Sequence, residues 1–181
     1  NELIYNRLLD DENMMVITDQ TAGIDSVGTS MFCASEINLF VVEPTMKSIG
    51  IIKDFENVTK NYNLKNYVII NKALDESDVE FVKRELGDKK ILGAISYSSN
   101  IRRYEQGDKE KFNLFIEENK EVFEKILNLV KNTKKDWKEY KERLYDIYKK
   151  NCETWYSEYY GVDLLRIYKQ WIWLWKSYKG E

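Results

Sequence analysis

Apolar residues fall in short blocks separated by longer periodic stretches through the first two-thirds of the chain. The blocks are Met14-Met15-Val16-Ile17-Thr18, ended by Asp19, and Ile37-Asn38-Leu39-Phe40-Val41-Val42, stopped by Glu43-Pro44. Two more follow: Tyr67-Val68-Ile69-Ile70, ended by Asn71-Lys72, and Ile91-Leu92-Gly93-Ala94-Ile95. Each is short and β-branched or aromatic, without in/out alternation, which predicts strands buried on both faces. Between them Ile49, Ile52, Phe55, Val58 and Tyr62 mark one helical stripe, and Val79, Val82 and Leu86 another. Strand and helix alternating at this spacing predict βαβ units and a mainly parallel sheet, hence an α/β fold.

Beyond residue 108 the pattern turns helical. Phe112, Phe115, Ile116, Val122, Phe123, Ile126, Leu127 and Val130 read as one long stripe that Asn132-Thr133 can break. Trp137, Tyr140, Leu144, Ile147, Cys152, Trp155 and Tyr159 read as a second, with Gly161 placed to stop it. The expectation is a C-terminal helical hairpin, giving a sheet domain over 1–107 and a helical extension over 108–181. In 164–178, Leu164, Leu165, Tyr168, Trp171, Ile172 and Trp175 share a face, with Arg166, Lys169, Lys176 and Lys179 around it. The favoured reading is a helix docked on the core; the alternative is an interfacial membrane helix.

Composition narrows the chemistry. The 181 residues are 43% apolar and 33% charged, a globular balance, and the net charge of −3 does not favour a nucleic-acid partner. There is no histidine, which excludes a Ser-His-Asp triad, a Cys-His pair and any His-ligated metal within this chain. Two cysteines, Cys33 and Cys152, form neither a disulfide framework nor a metal knuckle by spacing, so a reducing cytoplasm is the expected location. No apolar run is long enough to span a bilayer, and no signal peptide is visible. Because the chain starts with Asn1, its natural N-terminus is expected to lie upstream.

Ligands of open parallel sheets bind at the carboxyl ends of the strands, so the polar residues there are the candidates. Asp19-Gln20-Thr21-Ala22-Gly23 follows the first block: a carboxylate suited to Mg²⁺, directly or through water, then a glycine that lets backbone approach a phosphate. Asn71-Lys72 follows the third, and an Asn amide can donate to and accept from adenine at once. Ser96-Tyr97 follows the fourth and can wall a base. Singly, an Asp at a strand end is more often a cap or turn former, and Asn-Lys is a common dipeptide. Their order along one sheet raises the weight of the ligand reading.

Asp19-Gln-Thr-Ala-Gly-Ile-Asp25, Val42-Glu-Pro-Thr-Met-Lys-Ser-Ile49, Ile69-Ile-Asn-Lys72, Gly93-Ala-Ile-Ser-Tyr97 and Gln106-Gly107 together resemble the ParA/MinD/nitrogenase-iron-protein class of P-loop ATPases. The Val-Glu-Pro-Thr stretch is most similar to the CooC-like ATPases that assist nickel insertion. The resemblance covers residues 2 to 107 and implies part of a P-loop NTPase domain that uses ATP and Mg²⁺. It places Asp19 at the Walker B/switch II position, ordering Mg²⁺ or water, and turns the Gly23 N–H toward the γ-phosphate. It gives Asn71, with Lys72 beside it, to adenine, and Ser96 and Tyr97 to the flank of the base. Two departures stand out: no proline occupies the Ser96-Tyr97 segment, and Thr21 stands where CooC-like proteins commonly carry Glu. The implied function is an ATP-hydrolysing molecular switch, a nucleotide-bridged homodimer acting on a client such as a metalloprotein. The alternatives are a membrane-associated positioning ATPase and a non-catalytic module that lost nucleotide binding.

The family's Walker A loop is expected upstream of everything in this sequence. Gly23-Ile-Asp-Ser-Val-Gly28-Thr29-Ser30 imitates its spacing but puts Thr where the phosphate-binding Lys belongs, so it is rejected as a P-loop. Alone, this stretch of chain is expected to bind nucleotide feebly and hydrolyse none.

Overall fold

The computed structural model describes residues 15–20, 31–153, 157–164 and 166–167. The elements run β1 (Asn38–Val42), α1 (Met46–Thr59), β2 (Asn66–Ala73), α2 (Glu76–Leu86), β3 (Ile91–Ser96), α3 (Ser99–Glu105), α4 (Lys111–Glu118), α5 (Lys120–Asn132), α6 (Trp137–Asn151) and α7 (Ser157–Tyr160). The fold is α/β: three strands pair in parallel in the order β1-β2-β3.

The strands alternate their burial between two helical layers. On one face Val42, Val68, Ile70 and Ala73 join Ile49 and Ile52 of α1 and Val82 of α2 in one apolar cluster. On the other, Ile69 and Ile95 meet Val122 of α5, with Phe115 of α4 and Phe123 and Ile126 of α5 packed around them. Both crossover helices therefore lie on the first face, and the chain passes to the second only after β3. Leu39 and Val41 of β1, 39% and 61% exposed, lie on the Ile69 side, where Val41 pairs with Ile69.

Three expectations are corrected. The block at 14–18 predicts a strand, but residues 15–18 are irregular, and Met15, Val16 and Ile17 are 45%, 46% and 87% exposed. The third block runs on as strand through Asn71, Lys72 and Ala73, because the ladder to β3 continues past the polar pair. The stripe from 112 to 130 is two helices: Asn119 leaves helical geometry (φ −114°, ψ 15°) and donates its side-chain amide to the Phe115 carbonyl at 2.8 Å.

The chain forms two compact units, Asn1–Lys135 and Asp136–Glu181. α4 and α5, from the first expected helix, pack on the sheet within the first unit, and α6, from the second, opens the second unit. In the second unit α6 buries Tyr140, Leu144 and Ile147 as its stripe predicts, and Gly161 adopts the positive φ of 64° that a helix stop requires. No helix among the described residues is long and apolar enough to cross a membrane. Of the aromatic stretch 164–178, only Leu164, Arg166 and Ile167 are described; the rest of that expectation lies outside the described residues, as do Gly23 and the imitation P-loop.

Gly93 is a packing glycine. A Cβ placed on it would sit 2.9 Å from Cγ2 of Val122, a stiff β-branched side chain on α5. Gly93→Ala is therefore expected to destabilise the first unit by about 1–3 kcal/mol. Adding Val122→Ala, which opens that space, is expected to cost less than the two single changes summed, as read by denaturant unfolding of the double-mutant cycle.

Candidate functional site

The Val-Glu-Pro-Thr stretch builds the first wall of the carboxyl edge. Val42 makes the last β1 pair, with Ile70, and is 5% exposed. Pro44 ends the ladder and holds Glu43 out of helical geometry. Thr45, extended at φ −133° and ψ 148°, caps α1 by accepting from the Ser48 N–H at 3.2 Å, and Ile49 then drops into the core. Each residue of the motif thus has a local job, and Glu43 is left projecting from the strand end.

The second wall is a bulge. Asn71 pairs with Ile95 and Ala73 with Ser96, so Lys72 is an extra residue with no partner on β3. Its φ of 59° is left-handed, a conformation that costs any residue with a Cβ and that concentrates at functional sites. The bulge turns Lys72 toward β1, where its ammonium donates to Oε1 of Glu43 at 2.5 Å. That hydrogen bond, followed by the charge of Glu43, raises the Lys72 pKa above the ordinary lysine value; Glu105 and Tyr97 push the same way. Both partners are half-exposed, so the pair adds little stability and its effect is positional. Asn71, half-buried, has a side-chain amide with no hydrogen bond to another described residue.

The third wall follows β3. Ser96 is its exposed last residue, and Tyr97, 54% exposed, ties its N–H to the Ala73 carbonyl at 2.9 Å. Ser98 caps α3 through the Asn100 N–H and donates its hydroxyl to Oε2 of Glu118 at 2.8 Å. Asn100 donates to the other Glu118 oxygen, so α4 fastens the loop beyond Tyr97. The turn after β2 is equally fixed: Leu74 donates its N–H to Asp78 at 2.8 Å, and Asp75 caps α2.

Asn71, Lys72, Ser96 and Tyr97 are therefore brought to one edge, as their positions predict. Asp19 is described but exposed, in an irregular segment, and shares no hydrogen bond or ion pair with these residues. Glu43, Leu74 and Glu118 were not among the sequence candidates. Glu43 had a signal, a carboxylate at the end of a strand next to the one bearing Lys72; Leu74 and Glu118 had none. Among the described residues no cluster of three or more acidic, Cys or His side chains is placed to hold a metal ion. A single carboxylate such as Asp19 still fits Mg²⁺ that is carried in on phosphate oxygens and retains its waters.

No protein-family model matches the chain. The chain is 33% identical over 126 residues to an uncharacterized ATP-binding protein of Methanocaldococcus jannaschii, covering 66% of this chain and 48% of that protein. A second uncharacterized ATP-binding protein of that organism is 27% identical over 89 residues, 49% of this chain and 35% of its own length. The carbon monoxide dehydrogenase accessory protein CooC of Rhodospirillum rubrum is 25% identical over 104 residues, 57% of this chain and 40% of its own. The chain thus spans about half or less of the length of these relatives. At this modest identity it is related in sequence to proteins named for ATP binding and to CooC.

Proposed function

We propose that the chain is the base-binding part of an ATP-dependent molecular switch of the ParA/MinD and CooC type. The observation that carries the reading is the bulge at the end of β2. Just before it Asn71 leaves its amide without a hydrogen bond to another described residue, and Tyr97 stands exposed after β3, at the edge where parallel sheets take ligands. Asn71 donates to and accepts from the adenine edge, Tyr97 and Ser96 flank the base, and Lys72 is steadied by Glu43. Asp19 holds the waters of Mg²⁺ next to the phosphates, and Gly23 offers backbone to the γ-phosphate. Mg²⁺, when bound, neutralises charge on the phosphates.

The likeness to two proteins named for ATP binding supports the nucleotide, and the likeness to an accessory protein of carbon monoxide dehydrogenase supports a metalloprotein as client. A nucleotide-bridged homodimer is the assembly in which such a switch works. The test is Asn71→Ala in the native full-length protein. Calorimetry is expected to show ATP binding weakened by roughly 1–3 kcal/mol, with tripolyphosphate binding unchanged, because the phosphates are held elsewhere. Equal losses for both ligands would make Asn71 a structural residue and remove the reading's main support.

A further inference from the structure

The segment after β3 has few means of its own to keep Tyr97 in place. The one proline of the chain is Pro44, so no ring fixes the backbone between Ser96 and Ser99. Tyr97 is 54% exposed, so packing restrains little of it. Hydrogen bonds hold the segment from both sides. The Tyr97 N–H donates to the Ala73 carbonyl of β2 at 2.9 Å. On the other side, the Ser98 hydroxyl accepts from the Asn100 N–H at 3.2 Å and donates to Oε2 of Glu118 at 2.8 Å. The Asn100 amide donates to Oε1 of the same carboxylate. Both oxygens of Glu118 are thus spent on the loop, from positions 20 and 18 residues further along the chain.

Glu118 can hold the loop because the core sets its own place. Its neighbour Asn119 is 6% exposed and donates its amide to the Phe115 carbonyl at 2.8 Å. One turn on, Val122 joins Ile69 and Ile95 in the second apolar cluster and lies against Gly93 of β3. The corner between α4 and α5 is therefore seated on β3, and Glu118 carries that placement out to the loop. Both of its bonds are exposed, where water competes for each partner, so they add little to folding stability. Their effect falls on where the loop spends its time. We propose that Glu118 is a positioning residue for nucleotide binding: its carboxylate, bonded to Ser98 and Asn100, keeps Tyr97 at the flank of the base. This rests on the reading above in which Tyr97 flanks the base.

The test is calorimetry on the native full-length protein with Mg-ATP and tripolyphosphate. Glu118→Ala removes both bonds from an exposed helical position. If the freed loop is correctly placed about a tenth of the time, apparent ATP affinity falls about tenfold. Tripolyphosphate binding and the urea midpoint are expected to hold, as is ATP affinity in Glu117→Ala, the same truncation one residue earlier on α4. A Gln amide can accept from Asn100 and donate to the Ser98 oxygen once that hydroxyl turns, so Glu118→Gln is expected to keep most of the affinity. In a Tyr97→Ala background, itself weakened for ATP, Glu118→Ala is expected to cost nothing more, because it acts through Tyr97. Unchanged ATP affinity in Glu118→Ala overturns the inference, as does an equal loss of tripolyphosphate or a loss shared by Glu117→Ala. So does a loss in Glu118→Gln as large as in Glu118→Ala, or a full further loss in the Tyr97→Ala background. If Tyr97→Ala leaves ATP affinity intact, the flanking reading of Tyr97 fails and takes the inference with it. If Tyr97→Ala weakens ATP and Glu118→Ala does not, the inference alone fails.

Discussion

Asp19→Asn in the native full-length protein is expected to keep most ATP affinity while losing roughly 10²–10³ in turnover. The reasoning starts from charge. Phosphoryl transfer depends on placing positive charge and ordered water around the transferring group, and a carboxylate that holds the waters of Mg²⁺ does this only while it is ionised. Asn keeps the shape and loses the charge, so ground-state binding, spread over base and phosphates, changes little. Asp19 is exposed in an irregular segment, so the substitution removes no core contact. If Asp19 only shapes the local turn, Asn serves as well and turnover stays near normal. A steady-state rate assay with a parallel binding isotherm separates the two outcomes.

Ile70→Ala is expected to cost about 2–5 kcal/mol of folding stability. Ile70 is fully buried on the central strand, in the cluster that joins Val42 and Val68 to Ile49, Ile52 and Val82. Truncating it leaves a cavity walled by two helices and the sheet, which neither layer can close without giving up its own contacts. A domain of ordinary stability, about 5–15 kcal/mol, then loses a large share of it. Val58 is the control: it belongs to the same helical stripe in the sequence but is 42% exposed, so Val58→Ala is expected to shift stability by no more than about 0.5 kcal/mol. Urea unfolding of both variants, followed by a probe in the first unit, checks the contrast.

Much of the sheet was legible because β-branched blocks bounded by charge or proline have few other uses. The blocks at 37–42, 67–70 and 91–95 became β1, β2 and β3 with ends moved by a few residues. The block at 14–18 carries the same signature, yet its described residues, 15–18, are irregular. An apolar run states that a segment can be buried, not what will bury it. The break at Asn119 had a faint signal, a polar residue inside an apolar stripe whose amide can compete for the Phe115 carbonyl.

The site was legible only as far as topology carries it. Placing Asn71, Ser96 and Tyr97 at the carboxyl edge needed no more than the parallel arrangement. The bulge at Lys72 did not show, because a register shift is a property of two strands together, and Asn-Lys reads as a turn when β2 is taken alone. The pairing of Glu43 with Lys72 depends on that same register. The fastening of the Ser98 loop by Glu118 depends on where α4 settles on the second face, which no local pattern sets. The structure shows what the Val-Glu-Pro-Thr segment does locally: it ends a strand, caps a helix and presents one carboxylate.

Hydrogen–deuterium exchange on the native full-length protein, with and without Mg-ATP, tests the location of the nucleotide most directly. The account predicts that nucleotide slows exchange in peptides covering residues 71–75 and 96–100, at the ends of β2 and β3, and leaves 140–150 of α6 unchanged. Saturating Mg-ATP that protects neither strand end, or that protects only α6, would contradict it.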